Sequence, residues 1–416
     1  MRDIRPVSES ELDDLVAISA RAYPGFNLLS EAEGQRYREH IAQVRAANET
    51  QLMALFEDSE MRGVMRWYDF TMNLFGSQVL AGGVGGVAVD LLHKKEGIAA
   101  DMMRAFLDHY DDRGACLTTL YPFRPDFYRR MGFGYGTPLY SYHIKPANLP
   151  LANAGHAAAF LAAEDTPALE DCYSRHQQQT HGLMVRHPGF WERLFRNPAN
   201  QVIGLWQGRR LSGYLIFRFE KGDADHFLNN NVFVREMLAD TPGDLRRLLS
   251  FLRLQADQIE TIIVNSPDPT FFYQLQDPRH PSGNLLPHVV AHESGRQGLG
   301  LMLRIINVRR LFGLLADHNF GGQSLQLAIT LTDSFFPRNA GTTAVTFTNG
   351  RAQVSNGPAE GIAIHLDVAD FSSLVLGCIS ARSLAQWGLL RLSDNDALDR
   401  IDQLFRAPAP ICLTSF

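Results

Sequence analysis

The spacing of apolar and polar residues predicts a strand, two helices and a hairpin in the first seventy residues. A period near two marks the strands, and a period near 3.6 marks the helices. Asp58 and Ser59 supply turn residues between the two hairpin strands. The predicted elements are strand 3–7, helices 10–22 and 30–48, and strands 51–56 and 61–70.

Residues 97–110 have the period of a helix. Apolar side chains recur at Ile98, Met102, Phe106 and Tyr110, so they share one helical face. Arg113 and Gly114 end this helix, strand 116–121 follows it, and a short aromatic segment at 125–131 carries Tyr128. Alternation of strands and helices in this order predicts an α/β domain over residues 1–145.

Residues 87–100 combine a strand, a basic turn and the start of a helix. The first helical residues carry no bulky side chains, so unpaired backbone N–H groups converge on one point that suits a pyrophosphate. Gly97 removes a Cβ where a ligand would approach, and Lys94 and Lys95 add positive charge. By itself the stretch fits an ordinary helix N-terminus equally well, and the segment at 125–131 favours the phosphate site.

The glycines at 82–86 also match part of a dinucleotide-binding fingerprint. That fingerprint must follow a strand and open a helix, whereas these glycines lead into a strand. We therefore expect them to shape a strand entrance or a bulge.

Residues 146–300 repeat the first domain in a degenerate form. Phe272 stands where the first copy has Tyr128, so the hydroxyl is lost. The turn at 240–244 lacks the basic residues and the glycine, so we predict that this copy binds no coenzyme and has a structural role. Its predicted elements are strands near 201–206, 210–219 and 227–236, a helix near 243–257, strand 261–264 and the segment 269–275.

Residues 301–416 have a different pattern, with four strands followed by three helices. Asn349 and Gly350 predict a tight hairpin turn between the second and third strands. The predicted strands are 325–331, 343–348, 351–354 and 361–366, and the helices lie near 368–378, 380–388 and 395–406.

Composition adds few constraints to this picture. A chain of 416 residues with 45% hydrophobic residues can fill two or three cores. A formal net charge of −6 argues against broad binding to nucleic acid, and it is compatible with a cationic substrate or with scattered surface carboxylates. We find no signal peptide and no long uncharged apolar run, so we expect a cytoplasmic protein with no membrane partner.

Metal binding and hydrolase chemistry are not supported by the sequence. The four cysteines lie far apart, and we expect free thiols. Two sets of histidines lack the cysteines or the glutamate of a zinc motif, so no metal is expected. These sets are His176, His181 and His187, and His280, His288 and His292. No Gly-x-Ser-x-Gly motif occurs either.

The run Lys94-x-x-Gly97-x-Ala99 resembles motif A of the Gcn5-related N-acetyltransferases (GNAT), with lysine in place of the usual arginine or glutamine. Together with the run at 127–136 and a final aromatic residue, Phe416, it resembles the bacterial enhanced intracellular survival (Eis) acetyltransferases. This resemblance implies an α/β (α+β) protein with tandem GNAT domains, the second degenerate, and a C-terminal sterol-carrier-like α+β domain. The domains would span 1–145, 146–300 and 301–416.

The resemblance also implies an N-acetyltransferase that uses acetyl-coenzyme A and no metal. Tyr128 corresponds to the family's general acid, and the terminal carboxylate of Phe416 corresponds to its general base, fixed by an aromatic anchor. Backbone N–H groups of the motif strand would bind the thioester oxygen, and those of the turn would bind the pyrophosphate. The implied coenzyme-binding residues are Val87, Ala88, Val89, Lys95, Glu96, Gly97, Ile98, Ala99, Ala100, Phe123 and Arg124.

Aminoglycosides, protein lysines or polyamine-like amines are the acceptors that the family implies, in a cavity bordered by helices 10–22 and 30–48. The family also implies a homo-oligomer, a hexamer. Ser415 adds no second acid beside the terminal carboxylate, which weakens the case for strongly polycationic substrates. The alternative function is a non-catalytic protein that binds a coenzyme or a lipid on the same domains.

Overall fold

The computed structural model describes residues 2–28, 30–46, 50–152, 158–222, 229–286, 290–355, 357–358 and 360–416. These residues form two compact units. The first unit comprises Met1–Gly136, Leu301–Pro410 and Thr414–Phe416, and the second comprises Thr137–Gly300 and Ile411–Leu413. None of the described helices is both long enough and apolar enough to cross a membrane.

The elements follow the predicted order. Those before residue 137 are β1 (Arg2–Pro6), α1 (Leu12–Ala22), α2 (Glu31–Ala46), β2 (Gln51–Glu57), β3 (Glu60–Leu74), β4 (Ser77–Val89), α3 (Ile98–Asp112), β5 (Leu117–Leu120), α4 (Pro125–Arg129) and β6 (Gly134–Tyr135). Those of the second unit are β7 (Leu139–Ile144), β8 (Ala158–Phe160), α5 (Thr166–Gln179), α6 (Gly189–Arg196), β9 (Gln201–Gln207), β10 (Arg210–Lys221), β11 (Asn230–Ala239), α7 (Pro242–Arg253), β12 (Ile259–Ser266), β13 (Leu285–Leu286), β14 (Ala291–His292) and β15 (Arg296–Gly298). The rest are β16 (Met302–Ile305), α8 (Val308–Leu314), β17 (Leu325–Thr332), β18 (Gly341–Thr348), β19 (Arg351–Val354), β20 (Ile362–Asp367), α9 (Val368–Val375), α10 (Ala381–Gln386), β21 (Arg391–Leu392) and α11 (Leu398–Leu404).

The first sheet has the strand order β1-β2-β3-β4-β5-β16-β6. Helix α3 buries Met102, Phe106 and Tyr110 against one face, and α1 packs on the other, as the two apolar faces of β2 require. The predicted hairpin is confirmed, because β2 and β3 pair around Asp58 and Ser59, which both have positive φ.

Strand β4 is longer than its pairing with β5. The parallel ladder joins Ala81 to Leu117 and ends where Gly83 faces Thr119, whereas β4 continues to Val89. The two strands therefore separate beyond Gly83. This separation leaves a stretch of β4 backbone without a neighbouring strand on the β5 side, within the described part of the chain.

Strand pairing divides the chain differently from the predicted boundaries. Strand β7 was expected in domain 1–145, but it pairs with β12 in the second sheet, whose order is β15-β7-β12-β11-β10-β9-β8. Strand β16 was expected in domain 301–416, but it lies between β5 and β6 in the first sheet. Side-chain alternation identifies a strand but not its partner, so the sequence did not reveal this exchange.

The third predicted region folds as a five-stranded sheet, β19-β18-β17-β20-β21, with its helices packed against it. Phe312, Phe347 and Phe371 are almost fully buried, and the ring of Phe312 contacts the other two. The predicted turn is confirmed, since Asn349 and Gly350 have φ of 50° and 82°. All four cysteines carry free thiols, as expected.

Candidate active site

The turn between β4 and α3 has the geometry of an anion site. Lys95 and Gly97 adopt positive φ, 71° and 84°, and such left-handed residues aim successive N–H groups into one concavity. The N–H groups of residues 97–100 donate to no acceptor among the described residues, because α3 begins at Ile98 and its first internal bond runs from Asp101 to Gly97.

Arg2 braces this turn. Its guanidinium donates to the carbonyl oxygen of Glu96 at 3.0 Å, to Asp101 at 2.7 Å and to Glu57 at 3.1 Å. The sequence analysis missed this residue, because nothing in the local pattern links the first strand to a turn more than ninety residues later.

A cavity of about 600 Å³, here called the turn cavity, opens beside this turn. Every predicted coenzyme-binding residue except Glu96 lines it: Val87, Ala88, Val89, Lys95, Gly97, Ile98, Ala99, Ala100, Phe123 and Arg124. Glu96 contributes differently, since its carboxylate lies 3.1 Å from Nδ1 of His93 and its carbonyl accepts from Arg2.

These features fit acetyl-coenzyme A. The free N–H groups and Lys94 and Lys95 suit a pyrophosphate, and the apolar wall of Val87, Ala88 and Phe127 suits an extended uncharged arm. A Cβ added at Gly97 would meet only Nη1 of Arg2, at 3.8 Å, so the backbone is open to close approach.

Tyr128 lies on α4, which begins at Pro125 and is held at its far end by Arg304. The buried Arg304 guanidinium donates to the carbonyl of Met131 at 2.7 Å and forms two bonds with the Asp333 carboxylate. Tyr128 is 2% exposed, and its hydroxyl has no hydrogen-bond partner in the described part of the chain. Burial, and next the nearby Tyr23, raise the pKa of Tyr128 above its usual value, which keeps its proton in place at neutral pH.

A second cavity of similar volume, here called the aromatic cavity, contains both predicted catalytic residues. Its lining comprises Tyr23, Phe26, Leu28, Glu33, Arg36, Tyr37, His40, Arg66, Tyr68, Val84, Gly85, Gly86, Val87, Tyr121, Phe123, Tyr128 and Phe416. Tyr23, Val87 and Phe123 line both cavities, so the two spaces meet at these residues. Helix α2 borders the aromatic cavity, as the sequence predicted, whereas α1 contributes no lining residue and only the segment that follows it, with Tyr23, Phe26 and Leu28, reaches the cavity.

Phe416 is anchored in the first unit by aromatic contacts. Its ring centroid lies 5.3 Å from Tyr68, 4.8 Å from Phe70 and 5.3 Å from Tyr121. The Tyr121 hydroxyl donates to the carbonyl of Thr414 at 3.1 Å, which fixes the segment before the anchor.

The glycines of β4 make room for these rings. A Cβ at Gly83 would lie 2.3 Å from the Phe70 ring, and one at Gly85 would lie 3.4 Å from the carboxyl carbon of Phe416. Gly86 has φ of 58° and lies at a register shift between β3 and β4. The predicted bulge is therefore present, whereas the predicted strand entrance is wrong because β4 already begins at Ser77.

Three further residues of the aromatic cavity were not found from the sequence. The Tyr23 hydroxyl donates to the carbonyl of Val87 at 2.7 Å, and burial raises the pKa of Tyr23 to about 12. Arg66 donates to the hydroxyl of Tyr37 at 2.5 Å. An arginine in an alternating strand and two tyrosines near helices give no local signal of a shared cavity.

Among the described residues, neither histidine set brings three possible metal ligands together, but His176 joins a different group. Donor atoms of Cys172, His176 and Asp240 lie within 4.8 Å of one another. Asp240 already pairs with Arg175 at 3.1 Å and Arg210 at 2.7 Å, and two guanidinium groups on one carboxylate disfavour a cation. His288 lies outside the described residues.

Comparisons with known proteins agree with this geometry. Family models described as an acetyltransferase (GNAT) domain match residues 3–136 and 182–305, and a sterol carrier protein domain model matches 312–413. The chain is 26% identical over 368 residues to N-acetyltransferase Eis of Mycobacterium tuberculosis, covering 85% of each chain. It is 25% identical over 341 residues to an uncharacterized N-acetyltransferase of Streptomyces coelicolor, covering 78% of each.

Solved structures share the whole architecture. A GCN5-related N-acetyltransferase from Anabaena variabilis has a TM-score of 0.80 at 19% identity, and Eis1 from Mycobacterium abscessus has 0.74 at 22%. Both alignments cover 100% of each chain.

The chain is an Eis-like N-acetyltransferase of the GNAT superfamily. Its fold has two GNAT domains and a sterol-carrier-like domain, as the sequence predicted. GNAT enzymes use acetyl-coenzyme A, and this Eis-like enzyme therefore transfers acetyl groups to amines. The alternative of a non-catalytic binding protein is not supported.

Proposed function

We propose that this Eis-like enzyme holds acetyl-coenzyme A in the turn cavity and acetylates a primary amine placed in the aromatic cavity. Tyr128 is the general acid, and the carboxylate of Phe416, as the final residue, is the general base. The observation that carries this proposal is that the two cavities share Tyr23, Val87 and Phe123 and that Tyr128 and Phe416 both line the aromatic cavity.

Residues of the turn cavity bind and orient the coenzyme. The N–H groups from Lys95 to Ala100 hold the pyrophosphate, and Phe123 and Arg124 border the arm that leads to the thioester. The coenzyme supplies a thioester carbonyl carbon to which the amine nitrogen adds. N–H groups between Val87 and Val89 donate to the thioester oxygen as it gains negative charge.

Proton transfers then involve the two catalytic residues. The Phe416 carboxylate removes a proton from the acceptor ammonium, which frees the nitrogen lone pair to form the new C–N bond. The C–S bond breaks as Tyr128 gives its hydroxyl proton to the departing sulfur, and the second proton, released by the acylated nitrogen, returns to the Tyr128 phenolate. The raised pKa of Tyr128 supports this role, because a phenol that stays protonated at neutral pH can donate.

The acceptors that the family implies are aminoglycosides, lysine side chains and polyamines. They share a primary amine, which is the only group that the proposed chemistry requires. The charged side chains that line the aromatic cavity determine which of these amines binds best.

A matched pair of variants tests the Phe416 carboxylate. Adding one glycine after Phe416 converts its carboxylate into an amide, whereas Phe416→Leu keeps a carboxylate at the same position. We expect the extension to lower kcat by about 10²-fold or more and the substitution to keep most activity, measured as release of the coenzyme thiol.

Two controls accompany this test. Calorimetric titration of the coenzyme should give the same affinity in both variants. The intact mass of the protein purified from its natural host should match a chain whose last residue is Phe416. Full activity in the extended protein would contradict the proposed base.

A further inference from the structure

The aromatic cavity carries an unusual balance of charge. Glu33 and Arg36 neutralise each other, since their side chains lie 2.7 Å apart at an exposed position of α2. Arg66 is a different case. No carboxylate lies within ion-pair distance of its guanidinium in the described part of the chain, and its hydrogen-bond partners are the side chains of Tyr37 and Tyr68.

Arg66 is held where a ligand can reach it. Its guanidinium lies 5.4 Å from the ring centroid of Tyr37, with Tyr68 beside it, and Nε would be 3.3 Å from a Cβ at Gly86. A partly buried guanidinium without a carboxylate retains unsatisfied binding capacity for an anion, and its fork geometry suits a carboxylate.

Arg66 and the proposed base approach neighbouring residues of β4. Phe416 lies against Gly85, and Arg66 lies against Gly86. Aromatic rings of Phe26, Tyr68 and Tyr121 form much of the remaining wall. A ligand there meets the Phe416 carboxylate, the Arg66 guanidinium and aromatic rings in the same cavity wall.

We propose that the acceptor is a primary alkylamine built on an aromatic ring that also carries a carboxylate. Arg66 binds this carboxylate. This inference rests on the proposed function, because the amine must lie next to Phe416. Polycations such as polyamines and aminoglycosides are disfavoured, since a further ammonium group would lie near Arg66 and meet its charge.

The test compares four amines with the full-length enzyme and acetyl-coenzyme A. They are 4-(aminomethyl)benzoate, benzylamine, spermidine and kanamycin, and the readout is kcat/KM from thiol release. We expect 4-(aminomethyl)benzoate to exceed each of the others by at least about tenfold, the size of one charge-assisted contact.

Variants of Arg66 locate the origin of this preference. Arg66→Gln should bring the ratio of 4-(aminomethyl)benzoate to benzylamine close to one, mainly through KM, and Arg66→Lys should keep part of it. Arg38→Gln is the matched control, because Arg38 pairs with Asp13 at 2.5 Å and does not line the cavity. Its ratio should equal that of the unmodified enzyme. Thermal melting confirms that each variant is folded.

The outcomes separate the two proposals. Preferred turnover of spermidine or kanamycin, or an unchanged ratio in folded Arg66→Gln, would overturn the inference and leave the proposed function standing. Absence of turnover with every amine, while the coenzyme still binds, would overturn the proposed function and the inference together.

Discussion

The two GNAT domains share a strand order but differ where β4 and its counterpart β11 bulge. In the first domain the bulge contains Gly86 and is followed by Val87, which lines both cavities. In the second domain the register shift leaves Arg235 as the extra residue, and Glu236 follows it. One bulge opens onto apolar space, and the other leads into a buried ionic cluster.

That cluster is fully formed within the second domain. Glu236 accepts from Nη1 of Arg186 at 2.9 Å and from the Tyr214 hydroxyl, and Arg186 stacks 3.8 Å from the ring of Tyr173. Burial alone would lower the pKa of Arg186, but the Glu236 carboxylate raises it overall, so the guanidinium stays charged.

The turns that follow differ as well. Thr241 caps α7 by accepting from the N–H of Asp244 at 3.1 Å, and Pro242 has no N–H to offer. Helix α3 begins with free N–H groups and a left-handed glycine. The comparison teaches that a few residues at the end of one strand distinguish the proposed coenzyme site from the corresponding turn of a domain that we predict to be structural.

The largest expected effect is on kcat, when Tyr128 and its counterpart in the second domain, Phe272, are each substituted. Tyr128→Phe should lower kcat by about 10²–10⁴-fold with coenzyme affinity unchanged, because only the proton donor is lost. Phe272→Tyr in the second domain should change neither quantity. Steady-state thiol release and calorimetric titration check both. Wild-type turnover in Tyr128→Phe would make this residue a core aromatic.

Breaking the ionic cluster should affect stability without affecting catalysis. Glu236→Gln leaves Arg186 buried without a full counter-charge, and we expect a loss of about 3–5 kcal/mol in the free energy of unfolding of the second domain. The exposed pair of Glu220 and Arg218 supplies the control, since Glu220→Gln should cost about 1 kcal/mol or less. Denaturant titration measures both. An unchanged free energy of unfolding in Glu236→Gln would contradict a stabilising role for the ionic cluster at the β11 bulge.

An acidic side chain in each turn tests which one binds coenzyme. Gly97→Asp should weaken acetyl-coenzyme A binding by roughly 10²-fold, because its carboxylate would repel the pyrophosphate. Gly243→Asp at the start of α7 should leave affinity unchanged, since a Cβ there would meet only the Thr241 hydroxyl at 3.6 Å. Titration calorimetry provides the comparison, and equal affinities for Gly97→Asp and the unmodified enzyme would remove the turn from the site.

The smallest expected effect concerns the pH dependence of kcat, which should show a plateau without a descending limb at alkaline pH. Since the pKa of Tyr128 is raised above the usual 10.0, its acid form persists to higher pH, so kcat should rise as the amine and the base lose protons and then stay level up to about pH 10. A pH–rate profile of the folded enzyme checks this. A descending limb near pH 8 that disappears in Tyr128→Phe would contradict the raised pKa.

Much of the first domain was predictable because its signals are local. The face of α3 and the turn at Asp58 depend on neighbours within a few residues, so sequence patterns report them directly. The stretch from Val87 to Ala100, which we propose binds the coenzyme, belongs to this class. Family resemblance supplied the roles assigned to Tyr128 and Phe416, which no local pattern could have given.

Other parts of the site depend on residues that are distant in sequence. Arg2 reaches Glu96, Arg304 holds the end of α4, and Arg66 approaches Gly86 without an acidic partner. Each contact depends on strand order or on the space left by a glycine, and neither is encoded in the spacing of apolar residues.

The sequence by itself determined the strand, turn and helix that present free N–H groups, because backbone geometry within one turn is set by adjacent residues. Only the tertiary structure decided that β16 completes the first sheet and that Phe416 lies against Gly85. It also decided that the Arg66 guanidinium, which has no carboxylate partner among the described residues, lies beside Tyr37 and Tyr68. These outcomes come from packing between distant segments, where the shape and charge of several elements act together.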